Sequence, residues 1–410
     1  MGTEQNQFDI AIVGGGMVGA SLAVSLEGAG YRAVMIEAGG FSQAPPASYD
    51  ERAIALSYGS VEFLDRIAVW PQLAHDSAAI RRVHVSEQGA LGVVRLQAER
   101  YGLDSLGHVV PASSLGRAFV RLLPELSDTR LMENTRVEGV RHFSDHIQLD
   151  LSGDQPSISA KLVIVADGVQ SGLRSSLGIE TEENDYGHTA VAFNLSASRA
   201  QDGTAYERFT NHGPLALLPF TEGRYGVVWT IDAEREAEVR DMQDADVLAE
   251  LQATIGFRAG RLERLGKRGY YPLRRVRARE QVRPRICVLG NAAHALHPIG
   301  GQGFNLGLRD VMGLIQALHA NPGDPGAPAV IQAYESSRLG DQDAVSGFTH
   351  ALATLFGVPG DLPRHLRGAG LVLTEMLPPA KQWLAERAMG IGGPVPALGK
   401  SSLFNARAES

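Results

Sequence analysis

His294 and His297 are followed by Pro298 and then by Gly300, Gly301 and Gly303, just ahead of Phe304-Asn305-Leu-Gly307-Leu-Arg-Asp310, a run with helical spacing. Glycines at a helix start let backbone come close to a flat or anionic ligand, and the helix aims its positive end at that ligand. A second glycine set, Gly14, Gly16 and Gly19, sits between the apolar run 8–13 and a helical stretch with apolar residues at 18, 22 and 26. Residues 32–37 then read as a strand ending in Glu37. G-x-G-x-x-G in that strand–turn–helix setting is a dinucleotide fingerprint. Gly14 makes the tight turn, Gly16 admits a pyrophosphate, Gly19 lets helix and strand pack, and Glu37 accepts ribose hydroxyls. The alternative is a βαβ unit that binds nothing, with Glu37 a solvated strand end.

Further residues could serve the same ligand. Asp167-Gly168 closes the apolar run 161–166; a carboxylate at such a strand end lies at the nucleotide crevice of an open sheet, although Asp-Gly is also a common turn. Arg52 is a candidate phosphate or ring contact, because a guanidinium binds phosphate bidentately and stacks; its alternative is a helix-surface arginine. His212, His294 and His297 are the candidate bases, each with a structural alternative, and Pro298 suggests a shaped turn at His297. No zinc-binding H-E-x-x-H spacing and no Ser/His/Asp arrangement is present.

The elements that position these residues follow from composition and periodicity. At 410 residues the chain exceeds one ordinary core, and 44% hydrophobic with 20% charged residues is enough to bury more than one. A net charge of −8 with no long basic run argues against nucleic acid as a partner. The single cysteine, Cys287, excludes an intramolecular disulfide and a cysteine metal cluster, and its apolar neighbours make it a small buried hydrophobe. Seven residues precede the first apolar run and no run reaches the ~20 residues that span a bilayer, so the expectation is a cytoplasmic protein, free or on the cytoplasmic membrane surface. Runs at 188–196, 206–209, 215–218 and 225–231 alternate as antiparallel strands do. Helices are expected near 61–67, 115–123, 244–255, 330–338 and 371–389, with a Gly/Pro connector at 321–326. The stretch 365–389 suits either a bundle helix or an interfacial surface.

Three separated elements, the 14–19 fingerprint, Asp167-Gly168 with Arg174, and Gly290-Asn-Ala-Ala-His with His297 to Asp310, together resemble the single-component flavin-dependent aromatic hydroxylases. The 297–310 run is similar to the signature of the ubiquinone-biosynthesis hydroxylases. Arg52-Ala-Ile-Ala-Leu56 and Glu207-Arg-Phe-Thr-Asn-His-Gly-Pro-Leu-Ala216 point toward the 2-polyprenyl-6-methoxyphenol hydroxylase branch.

The resemblance implies a mixed α/β fold. FAD-binding parts lie at 1–80, 111–180 and 276–345, and a Rossmann-like core accepts an inserted antiparallel-sheet substrate domain. That domain comprises strands at 81–110 and the block 181–275, and a helical region follows at 346–410. It also implies FAD as cofactor, with NAD(P)H as electron donor. Gly14, Gly16, Gly19 and Glu37 would hold the ADP half, Asp167 would lie near the pyrophosphate and the reduced nicotinamide, and Asn291 near the ribityl chain. Gly303, Phe304 and Asn305 would offer backbone to the flavin pyrimidine edge. Two departures stand out: Asn291 replaces the usual aspartate, and 111–114 (Pro-Ala-Ser-Ser) lacks an arginine that many relatives carry.

The implied chemistry is O2-dependent ring hydroxylation through a flavin C4a-hydroperoxide, taking 2-polyprenyl-6-methoxyphenol to the 1,4-benzoquinol. The helix start would stabilise negative charge on reduced flavin. Apolar strands at 215–219 and Trp229 are candidates for a wall that excludes water, or are ordinary sheet core. A lipid substrate without a spanning segment implies peripheral membrane contact or partner proteins of ubiquinone biosynthesis. The alternatives are another ring position, a soluble aromatic acid, or a flavin-binding scaffold subunit.

Overall fold

The computed structural model describes residues 6–40, 52–358 and 360–392. Pro45, Pro46 and Asp50, and the end of the 346–410 region, fall outside them. The nucleotide side rests on five parallel strands, in sheet order Ile286–Val288, Ile158–Val165, Gln7–Val13, Ala33–Ile36 and Thr129–Met132. The central stretches 10–13, 33–36, 162–165 and 286–288 are wholly apolar and buried because both sheet faces are covered there. Ile10, Ile12, Leu162, Ile164 and Cys287 face Met17–Leu26, Ala112–Leu122 and Gln302–Ala320. Ala11, Val13, Val163 and Val165 face the other way, packed with Ile147 and Leu149 of an antiparallel pair, Val137–His142 and Ile147–Leu151.

A nine-stranded, mostly antiparallel sheet carries the other side. Its order is His294–Ala295, Gly269–Ala278, Thr181–Ala197, Tyr225–Asp232, Gly213–Pro219, Thr204–Thr210, Arg82–Glu87 and Val93–Gln97, with Leu262–Leu265 attached to Thr181–Ala197. The 81–110 block divides here: two of its strands join this sheet, while Gly107–Pro111 pairs with Ala53–Ser57 and Ala78–Ile80 in a small third sheet. One face of the large sheet is covered by the helices Glu236–Asp241 and Asp244–Ile255.

The residues between 286 and 295 tie the two large sheets together. Ile286–Val288 pairs in the first, and Ala295 and His294 pair with Val276 and Arg277 in the second. The long helix Pro328–Gly357 runs continuously through residue 345, so no break falls at that boundary. The single helix expected at 371–389 is instead two, Asp361–Met376 and Pro378–Ala388. Pro378 and Pro379 account for the break: neither has an N–H to donate, and the first holds Leu377 extended at φ −98°, ψ 103°. Among the described residues no helix is long and apolar enough to cross a membrane.

Candidate active site

The nucleotide crevice lies where Gln7–Val13 and Ile158–Val165 end side by side. Gly14 has φ +110°, and a Cβ there would meet the Ala166 carbonyl oxygen at 2.4 Å. A Cβ on Gly19 would lie 2.0 Å from the Gly14 carbonyl oxygen, so both positions require glycine. Gly16 differs, since its missing Cβ faces open space at the amino end of Met17–Leu26. That is room for a phosphate against helix N–H groups. The Glu37 carboxylate accepts from the Gly15 N–H at 2.6 Å and from the Gly39 N–H at 2.8 Å, which fixes it beside the turn. Asp167 accepts from the Leu173 N–H at 3.2 Å with one oxygen; its other oxygen is buried and has no partner. An orphaned carboxylate oxygen at the strand end fits a cofactor that supplies a donor there. Asn291 is exposed on the turn after Ile286–Val288.

The segment after His297 forms the other half of the site. Gly300 and Gly301 are both left-handed, at φ +67° and +62°, and this double turn starts the helix Gln302–Ala320. Asn305 locks the start of that helix to the Ala53–Ser57 strand. Its Oδ1 accepts from the Ser57 N–H at 2.9 Å, and its Nδ2 donates to the Ala55 and Gly301 carbonyls at 2.9 and 2.7 Å. The Asn305 side chain is therefore spent on structure, and only its backbone is left for a ligand. Gly303 faces open space, in the first turn where helix N–H groups lack intrahelical acceptors. Phe304 is half-buried against the nucleotide-side core. Arg52 is exposed at the start of the Ala53–Ser57 strand, and its carbonyl accepts from the Ala112 N–H at 2.8 Å. In the 111–114 stretch, which lacks an arginine, Ser113 and Ser114 hold Arg117 from one turn later, at 2.9 and 2.6 Å.

The three candidate bases go to three different places. His212 sits on an exposed hairpin turn, bonded to Asp232 at 2.6 Å, outside any shielded cavity. His294 is buried with its Nε2 2.5 Å from Asp310 Oδ2. Asp310 also accepts from Gly290 N–H, Arg338 and Gln342 at 3.2, 3.1 and 2.8 Å, and Asp341 accepts from Arg309 and Arg338 at 2.8 and 2.7 Å. Burial alone would raise the Asp310 carboxyl, but His294, Arg338 and Gln342 outweigh it and hold it well below the usual carboxylate range. His294 thus braces the glycine-rich turn against the long helix. His297 is buried, with the edge of its ring on Tyr186, and its Nδ1 accepts from the Ile299 N–H at 3.3 Å. Burial, helped by the charge of His188, pushes its pKa down to about 4. With Nδ1 accepting from Ile299 and burial disfavouring the charged form, this imidazole is neutral and a poor proton acceptor near neutral pH. The structure thus puts the three candidate bases in three separate settings, each with a protein partner.

Known proteins match this arrangement over nearly the whole chain. The pattern of the FAD binding domain family matches residues 7–348. The chain is 33% identical over 396 residues to ubiquinone hydroxylase UbiL of Rhodospirillum rubrum, covering 95% of this chain and 91% of that one. It is 31% identical over 396 residues to the 3-demethoxyubiquinol 3-hydroxylase of Escherichia coli, covering 93% and 98%. The chain belongs to the FAD-dependent hydroxylases of ubiquinone biosynthesis. The hydroxylase shares its fold with p-nitrophenol 4-monooxygenase PnpA of Pseudomonas putida at a TM-score of 0.74, with 20% identity over 94% of this chain and 99% of that one.

In the hydroxylase, strand parity decides which residues face the cofactor side. Leu215, Leu217 and Trp229 pack with Val239, Val247 and Leu251 in the helix-covered core, so Trp229 is not part of a wall over the site. The alternate residues, Ala216, Leu218 and Val228, take the opposite face. On that face a Cβ at Gly226 would meet Ala53 at 2.5 Å, which presses the sheet onto the Ala53–Ser57 strand. Glu207 shares this face, because its neighbours Tyr206 and Arg208 reach the Arg258 and Thr254 carbonyls on the helix side. It lies between Ala205, packed near Ala53 and Val109, and Phe209, packed on Ile299. Burial raises the Glu207 carboxyl to about 7, against the Gly300 amide that hydrogen-bonds to it. Sequence reasoning passed over Glu207, although it opens the 207–216 match and its strand parity was readable.

Proposed function

We propose that the protein hydroxylates the ring of a polyprenylated methoxyphenol, taking 2-polyprenyl-6-methoxyphenol to 2-polyprenyl-6-methoxy-1,4-benzoquinol, with NAD(P)H as the electron donor. The observation that carries this reading is the meeting of two surfaces. The Gly300–Gly303 turn offers open backbone at a helix start, and the apolar face of Ala216, Leu218 and Val228 stands on the same side as Ala53. FAD, once bound, supplies the activation of O2. The 14–19 turn and Glu37 would hold its ADP half, Asp167 would lie near the pyrophosphate, and backbone of Gly303, Phe304 and Asn305 would meet the ring. The helix start would offer aligned dipoles to the negative charge of the reduced ring. The apolar face would keep water from the reacting centre.

A second reading is hydroxylation at another ring position, favoured by the likeness to the E. coli 3-demethoxyubiquinol 3-hydroxylase. Both readings need access to a lipid. Leu362, Leu366, Leu373 and Met376 are exposed along Asp361–Met376, with Leu377 and Trp383 beyond them, and this face supports peripheral contact with a membrane. Proteins of the same biosynthetic pathway are the other proposed occupants of that face. Flotation with anionic liposomes, lost on Leu366→Glu with Leu373→Glu, is the expected result; an equally floating double variant argues against this face. For the reaction, NADPH-driven O2 uptake should rise with a prenylated methoxyphenol and yield hydroxylated product by mass spectrometry. Uptake that makes only hydrogen peroxide would count against the hydroxylase reading, and the mass and fragmentation of any product assign the ring position.

A further inference from the structure

We propose that Glu207 is the base that takes the phenolic proton of the substrate during ring hydroxylation, a role that rests on the monooxygenase reading above. The geometry comes first. Glu207 is the acid on the Thr204–Thr210 strand that faces away from Glu236–Asp241 and Asp244–Ile255, flanked by Ala205 and by Phe209, which stacks on Phe356 of the long helix. Register pairs it with Ala216 on one side and Val85 on the other, so its carboxylate stands among apolar neighbours. The Gly300 amide of the left-handed turn hydrogen-bonds to it, which brings it to the edge of the turn where the ring would lie. The three histidines are each unsuited to the task, for the reasons given above.

Charged and titratable groups on the surrounding elements are paired, neutral or exposed. Glu87, one same-face step along Arg82–Glu87, is held by Arg367. His297 on the glycine turn stays neutral through burial. His350 on the long helix bonds Tyr186 at 3.1 Å. Asp232, at the far end of its strand, is bonded to His212. Arg52, at the start of the Ala53–Ser57 strand, is exposed. Burial raises the Glu207 carboxyl to about 7 with no charged group contributing, so it can change protonation near neutral pH.

The step moves a proton and no electrons. The phenol O–H bond breaks, its pair stays on oxygen, and the proton goes to a Glu207 carboxylate oxygen. The more electron-rich ring then attacks one atom of an O2 that has taken two electrons from the donor, and the other O2 atom leaves as water. The ring C–H proton is lost as the ring rearomatises, and Glu207 returns its proton to the original ring oxygen.

The test uses the FAD-loaded protein, NADPH and a geranylated 2-methoxyphenol, with wild type, Glu207→Gln and Glu207→Asp compared across pH. Wild-type hydroxylation should rise with pH through about 7 and then level. Glu207→Gln should lose about 10²-fold in hydroxylation rate, lose that pH limb and divert NADPH oxidation to peroxide, with KM little changed. Glu207→Asp should restore part of the rate and the limb. Glu207→Gln that keeps both rate and limb, beside a wild type that makes product, overturns the role alone. A wild type that makes no product overturns the monooxygenase reading and the role with it. Should Glu207→Gln fail to hold FAD, the absorbance of the phenol bound to wild type decides. A shift toward phenolate as pH rises from about 6 to 8.5 supports the role, and a flat spectrum overturns it.

Discussion

Asp310→Asn tests whether the buried ion network, rather than the glycines alone, holds the cofactor turn in place. Asp310 accepts from four donors, Gly290 N–H, His294, Arg338 and Gln342, with two on each oxygen. An asparagine has one acceptor oxygen and one NH2 group, so two of those bonds become donor-against-donor, and the countercharge is lost as well. Breaking a buried pair by removing one partner costs about 3–5 kcal/mol. Arg338 keeps Asp341 at 2.7 Å, which favours the lower end. A loss of roughly 3 kcal/mol corresponds to about a 10²-fold larger open population.

The single cysteine makes that population measurable. Cys287 is fully buried on the Ile286–Val288 strand, three residues before Gly290, and burial pushes its thiol far up, so only opened molecules react. Thiol labelling under native conditions should be about 10²-fold faster in Asp310→Asn. The pH dependence has a definite sign. The folded carboxyl titrates below its unfolded value, so its stabilisation is present above about pH 4 and fades as pH falls further toward the folded value. The gap between wild type and variant should therefore narrow only in acid. Labelling rates within threefold of each other at neutral pH would refute the reasoning.

Gly16→Ala and Gly19→Ala should separate binding from folding. The first places a methyl in open space, so apoprotein melting should hold while FAD binds at least about tenfold more weakly; the second clashes at 2.0 Å and should lower melting itself. Equal effects in both assays would contradict this. Trp229→Phe should cost about 1–3 kcal/mol in stability with product per NADPH unchanged, because Trp229 faces the helices. Leu218→Ala, on the other face, should raise the peroxide fraction with little loss in melting. The raised Glu207 carboxyl makes the folded state hold its proton longer than the unfolded chain, so its cost appears as pH rises from the usual carboxylate range through about 7. Glu207→Gln should thus melt higher than wild type at pH ~8 by about 1–2 kcal/mol and match it near pH ~4; a constant gap would be evidence against the shift.

Local rules along the chain determined much of this protein. The spacing of Gly14, Gly16 and Gly19 between an apolar run and a helix marks a crossover because a left-handed turn at Gly14, open space at Gly16 and close packing at Gly19 all call for glycine. The run from Gly300 to Asn305 marks a helix start for the same reason, and the continuous apolar runs mark strands covered on both faces. The tertiary structure alone decided what the charged and aromatic side chains meet. His294 reads as a candidate base until Asp310, sixteen residues on, closes on it, and His297 until Ile299 takes its lone pair. Trp229 reads as a wall residue until pairing puts it on the helix face. Glu207 gains its raised carboxyl only because strand pairing sets it among apolar neighbours beside Gly300. Backbone conformation is dictated within a few residues, whereas the protonation and orientation of a side chain depend on neighbours brought from distant parts of the chain.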